Sequence, residues 1–116
     1  MSAPSEASLS QTGHDVALAE KIRSRTARCG VIGLGYVGLP LAVELGRVGF
    51  SVTGIDIDAD KVAALHRGDN YIEDVETSLL ANLVGTHKFQ ATTDFSVLRE
   101  LDTVNICVPT PLRKTK

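Results

Sequence analysis

Among the 116 residues there is no apolar run approaching the roughly 20 that a membrane-crossing helix requires, so no span is expected. The opening stretch, Met1 to Thr12, is polar and small and lacks the basic-then-apolar order of a secretory leader. An excess of one charge is missing too: a formal net charge of -2 makes no electrostatic case for nucleic acid or an anionic membrane as partner. Cysteine is scarce. Cys29 and Cys107 lie in apolar, strand-like runs without CxxC or Cys/His spacing, and read as small buried hydrophobes in a reducing cytosol. His14, His66 and His87 are scattered without ligand spacing, so no metal site is expected. What remains is a cytoplasmic, soluble chain with room for one domain.

Residues 1–13, rich in Ser, Ala and Pro and without an apolar period, read as a disordered tail. Residues 14–26 carry Val16, Ala19 and Ile22 along one side, which predicts a short amphipathic helix leading into a domain over 14–116. Arg28 to Ile32 reads as a buried strand, Pro40 to Val48 as an apolar helix, and Phe50 to Ile55 as a second strand. Gly46 and Gly49 fit a helix end and a tight return. Asp58 or Asp60 caps a helix through Leu65 that Gly68 stops, and a loop, Asp69 to Asp74, follows. Val75 to Val84 has helical spacing, Lys88 to Ala91 is a short strand, and Thr93 or Asp94 caps a helix from Phe95 to about Leu101. Thr103 to Val108 reads as a continuous buried strand stopped by Pro109 and Pro111.

The fold class that follows is α/β: a Rossmann-type, doubly wound parallel sheet, truncated at about four strands in the order 3-2-1-4. That order puts Cys29 and Cys107 at opposite ends of neighbouring strands, beyond disulfide reach.

Gly33-Leu34-Gly35-Tyr36-Val37-Gly38 is a GxGxxG placed between the first strand and a helix. Gly33 permits the sharp turn, Gly35 lets main chain approach a pyrophosphate, and Gly38 allows close helix packing. The free N–H groups and positive end of the helix then face the phosphates. Glycine spacing alone is a weak signal. It is strengthened by Asp56, which ends the second strand on the order of 20 residues later, where an acid accepts hydrogen bonds from the adenosine ribose. A carboxylate there repels a 2′-phosphate, and the following Ile57 is no arginine to bind one, so NAD is favoured over NADP. Lys61 either reaches the adenine or ribose edge or is a solvated helix lysine. Thr110 and the backbone of Val108 face the nicotinamide ribose if the crevice lies at the switch point between strands 1 and 4; otherwise Val108-Pro109-Thr110-Pro111 only terminates the strand.

With Gly33 to Ala42, Asp56-Ile57-Asp58 and Ile106 to Leu112 in view, the chain resembles the nucleotide-sugar 6-dehydrogenase family from about Ala27 onward. The stretch Gly68 to Val75 is most similar to bacterial UDP-N-acetylglucosamine 6-dehydrogenases. The resemblance implies a twofold NAD-dependent oxidation of the sugar C6 alcohol to a carboxylate, through a thiohemiacetal on a catalytic cysteine, for bacterial surface polysaccharide precursors. It implies cofactor contacts at Gly33, Gly35, Tyr36, Val37, Gly38, Asp56, Lys61, Val108, Pro109 and Thr110, with Leu34 and Ile57 completing the set. Lys61 departs from the arginine common at its position.

The family's catalytic residues, its dimerisation helix and its UDP-binding domain fall beyond the equivalent of Lys116, so no catalytic residue is expected in this chain and the piece alone is expected to be inactive. With no second mononucleotide half beside strand 4, its apolar edge is expected to drive self-association, consistent with a homo-oligomer. A rival reading is a stand-alone nucleotide-sensing module; a flavoprotein half, which more often places glutamate at the position of Asp56, is a third.

Overall fold

The computed structural model describes residues 16–107. Residues 16–24 are helical (α1) and lead into the strand β1, Arg28–Ile32. There follow α2 (Gly38–Arg47), β2 (Ser51–Ile55), α3 (Ala59–His66), α4 (Thr77–Gly85), β3 (Phe89–Thr92), a 3-10 segment (Phe95–Glu100) and β4 (Thr103–Ile106). The strands form one sheet in the order β3-β2-β1-β4, every pair parallel, as the alternation of strand and helix predicts.

With right-handed crossovers, β1→β2→β3 keeps α2, α3 and α4 on one face, and the return to β4 crosses the other. The first face holds the core: Val31, Leu39, Val43, Val52, Leu80, Leu83 and Phe89 are buried together. Gly46 stands at the end of α2, next to its last residue Arg47, and is also a contact point. It lies buried within α2, and a Cβ there would stand 2.9 Å from a Leu83 methyl, so glycine sets how closely α4 approaches α2. Gly49, at φ +114°, makes the return into β2. His66 closes α3 onto the sheet through a 2.6 Å bond between its Nε2 and the Ala91 carbonyl.

Two expectations are corrected on the second face. The helix expected from Phe95 is a six-residue 3-10 segment with no buried side chain, capped by Asp94. A 3-10 turn rises about 2.0 Å per residue against 1.5 Å in an α-helix, which suits a short crossover. Nor is β4 buried: among the described residues it pairs with β1 alone, and Val104, Asn105 and Ile106 are exposed. Cys29 is buried and pairs with Thr103, whereas Cys107 follows Ile106, the partner of Ile32. Both thiols are free and stand at opposite ends of the β1–β4 pair, but Cys107 is only partly buried, short of the expectation for it. Val108, Pro109, Thr110 and the tail 1–13 lie outside the described residues.

The entry to β4 is tied to α1 and β1 by Asp102. Its carboxylate accepts from the Arg28 N–H at 2.8 Å and from Lys21 Nζ at 3.0 Å, while its own N–H donates to the Arg28 carbonyl. The Arg28 main-chain donor first, and Lys21 second, hold this carboxyl below the usual aspartate range. A lowered folded-state value means stability that is present at neutral pH and is lost as pH falls below the ordinary aspartate range through the lowered one. Asp102→Asn is therefore expected to unfold at lower denaturant than the parent at pH 7, with the gap closing as acid protonates the parent. Parallel denaturation curves at each pH check this, and a gap independent of pH would contradict it.

Candidate functional site

The carboxyl ends of the strands converge on one edge of the sheet, where chain leaving β1 and β2 must turn away and open a crevice. At the end of β1, Gly33 adopts φ +95° and donates its N–H to the Ile55 carbonyl at 2.8 Å, which starts the turn. The helix α2 then opens at Gly38 without a side-chain cap and without an acidic residue in its first turn. Its N-terminal end therefore offers main-chain donors and a positive partial charge to an anion.

The glycines divide the work. A Cβ on Gly38 would fall 1.6 Å from the Gly33 carbonyl oxygen and 3.3 Å from the Cys107 Cβ, so this glycine lets the helix start close on the turn itself and on the end of β4. Around Gly35 a Cβ would meet no atom within 4 Å, which leaves space for something else to approach the backbone. Leu34 is an anchor. Its side chain is fully buried, and a Cβ added at Gly54 would lie 2.7 Å from its Cδ2. The sequence-based assignment of Leu34 to the binding set thus rests on its main chain, which still lines the cleft.

Asp56 ends β2 and is buried to 9% exposure. Its Oδ2 accepts from the Leu34 N–H at 2.8 Å and its Oδ1 from the Asp58 N–H at 2.9 Å. The carboxylate therefore ties the tip of β2 to the glycine turn, and each oxygen keeps a second acceptor position. Of the two capping candidates it is Asp58 that caps α3, accepting from the Asp60 and Lys61 N–H groups.

Together these elements enclose a cleft of about 930 Å³ lined by Gly33, Leu34, Gly35, Tyr36, Val37, Asp56, Ile57 and Lys61. Eight sequence-predicted positions thus come together, with Gly38 buried behind them. Phe95, Ile106 and Cys107 also line the cleft. None of the three was in the sequence-predicted set, although a residue just past β3, such as Phe95, must reach the same sheet edge as one just past β2. The rim is apolar: Ile57 is 85% exposed and Tyr36 83%, and Val37, Phe95 and Ile106 also face water. Apolar side chains grouped around a concave, polar-floored site favour a ligand with a flat apolar part.

A second cavity of about 580 Å³, lined by Asn70, Tyr71, Ile72, Glu73, Val75 and Thr77, adjoins the first, and Tyr36 borders both. From that side Tyr71 donates its phenol to the Leu34 carbonyl at 2.7 Å, a contact not foreseen from sequence. Among the described residues there is no group of three His, Cys, Asp or Glu able to hold a metal, and no helix long and apolar enough to cross a membrane.

Comparison with known proteins agrees with this geometry. The NAD-binding-domain model of the UDP-glucose/GDP-mannose dehydrogenase family matches residues 27–116. A UDP-N-acetyl-D-mannosamine dehydrogenase of Methanococcus vannielii is 41% identical over 81 residues, 70% of this chain and 18% of that protein. A UDP-N-acetyl-D-glucosamine 6-dehydrogenase of Pseudomonas aeruginosa is 36% identical over 86 residues, 74% of this chain and 19% of that protein. A crystal structure of a ternary complex of GDP-mannose dehydrogenase from Pseudomonas aeruginosa superposes with a TM-score of 0.69 at 35% identity, covering 75% of this chain and 20% of that one. The chain thus spans less than a fifth of the length of the two curated relatives.

The two glycines should separate fold from binding. Gly38→Ala, forced against a carbonyl oxygen, is expected to cost more than about 3 kcal/mol of stability. Gly35→Ala is expected to cost under about 1 kcal/mol, yet to weaken ADP binding roughly tenfold by filling the approach to the backbone. Urea denaturation and calorimetric titration of each variant check this; equal destabilisation would contradict it.

Proposed function

The chain belongs to the UDP-glucose/GDP-mannose dehydrogenase family as its NAD-binding domain, and from that premise we propose that it binds NAD with the pyrophosphate against Gly35–Gly38 and the adenosine ribose on Asp56. The observation that supports this reading most is the 2.8 Å bond from the Leu34 N–H to Asp56, which joins the carboxylate and the glycine turn in the lining of one cleft. Space in front of Gly35, an uncapped helix start and a carboxylate with spare acceptor capacity fit the cofactor. Ile57 on the rim covers one face of the adenine, and Lys61 stands near the ribose edge. Val108, Pro109 and Thr110, which follow β4, serve the nicotinamide half.

Bound NAD supplies the hydride acceptor. The chain's own residues hold and orient it: the turn fixes the phosphates, Asp56 fixes the ribose, and the apolar rim excludes water from the adenine. The whole protein, on this reading, oxidises the C6 alcohol of a UDP-sugar to a carboxylate in two NAD-dependent steps, with the reacting residues carried outside this chain. Its substrate is a UDP-N-acetylhexosamine, UDP-N-acetylglucosamine on the strength of the loop Gly68 to Val75, and its product feeds surface polysaccharide synthesis in the cytoplasm. The named relatives include archaeal as well as bacterial enzymes, so the source of the polysaccharide is left wider than bacteria. Assembly as a homo-oligomer would cover the exposed apolar residues of β4.

Calorimetric titration of NAD, NADP and ADP-ribose into the chain tests the site. NAD is expected to bind at least about tenfold more tightly than NADP, a difference of ~1.4 kcal/mol, because the Asp56 carboxylate repels a 2′-phosphate. Asp56→Ala is expected to weaken NAD and abolish the preference. Unchanged binding in that variant would remove Asp56 from the site.

A further inference from the structure

We infer that Tyr71 is a positioning residue for the phosphate turn: its phenol holds the Leu34 carbonyl so that the Gly35 N–H is presented to the pyrophosphate, an inference that rests on the NAD-binding reading. The loop that carries Tyr71 is itself fastened. Asn70 accepts from the Ile72 N–H at 2.8 Å and donates to the Val75 carbonyl and, at 3.2 Å, to Thr77 Oγ1. Ile72 and Val75 are buried in the core on either side of this knot. Tyr71 is thus presented from a braced loop, half-buried, with the Lys61 ammonium 5.9 Å from its ring centre.

The peptide that Tyr71 holds joins Leu34 to Gly35. A trans peptide is planar and points its C=O and N–H in opposite directions. Fixing the Leu34 carbonyl on Tyr71 therefore directs the Gly35 N–H to the side away from it, the side of the larger cleft. On the far side Gly35 has no side chain to hold it and is tied through its carbonyl, which accepts from the Leu39 N–H at 3.1 Å. The Leu34 N–H is held by Asp56 and its side chain by the core, so the phenol completes the set of restraints on this residue. Burial first, and then the negative charges of Asp56 and Asp58, push the phenol above the ordinary tyrosine range. It therefore keeps its proton at neutral pH and remains a donor.

Tyr71→Phe keeps the ring and removes the donor. ADP-ribose and adenosine titrated into the full chain are the probes, since a residue that orients a phosphate-binding amide affects only the first. ADP-ribose is expected to bind about five- to tenfold more weakly to Tyr71→Phe. Adenosine is expected to stay within about twofold, because Asp56 and the rim are untouched. Equal losses for both ligands, or none for ADP-ribose, would overturn the positioning role while leaving NAD binding intact. Failure of the parent chain to bind ADP-ribose would instead sink the NAD-binding reading and this inference with it. As a second measurement on the parent alone, the Gly35 amide resonance is expected to shift with ADP-ribose and not with adenosine; an unmoved Gly35 amide would also overturn the role.

Discussion

A single hydrogen bond, from the Leu34 N–H to the Asp56 carboxylate, organises this molecule, because it joins the end of one central strand to the turn that leaves the other. A buried carboxylate loses several kcal/mol of hydration unless polar partners replace it. Here the partners are main-chain N–H groups, at Leu34 and at Asp58, which also shape the two turns. Geometry and charge are therefore set together: the turn cannot relax without leaving the carboxylate short of donors. The same arrangement holds the carboxylate within the cleft that the turn opens.

Around that bond the site separates into a braced polar floor and an apolar rim. The floor is the glycine turn, restrained from β2 by Asp56 and from the 70–77 loop by Tyr71. The rim is made of side chains that stand in water, Tyr36, Val37, Ile57, Phe95 and Ile106, whose exposure is costly until something flat covers them. The loop between α3 and α4 has a part in both, since it lines the second cavity and also holds Leu34. The 70–77 loop is thereby in direct contact with the glycine turn.

The sheet's far edge follows a different logic. Among the described residues β4 pairs with β1 alone and leaves Val104 and Ile106 exposed, while the crossover before it is a 3-10 segment that buries nothing fully. The continuous apolar run from Thr103 suggested burial on both faces, as in a central strand. An edge position overrides that pattern, because burial depends on what packs beside a strand and the strand's own residues cannot supply it.

Much was legible in the residues themselves. Strand and helix alternation, the glycine turn at Gly33, the acid at Asp56 and an aspartate cap at Asp58 or Asp60 are local properties, set by steric freedom, periodicity and side-chain reach over a few positions. Dinucleotide binding was legible for the same reason, since the glycines and the acid stand at spacings that its chemistry demands; the family was read from the resemblance along Gly33 to Ala42, Asp56 to Asp58 and Ile106 to Leu112, and the family model matches residues 27–116. Only the tertiary structure decided that Leu34 anchors through its buried side chain, that Gly46 receives Leu83, that Phe95 joins the cleft, and that Tyr71 reaches the turn. Each of these is a meeting of residues far apart in the chain. Spacing along a sequence carries no distance across space until the sheet order and the helix packing bring the partners together.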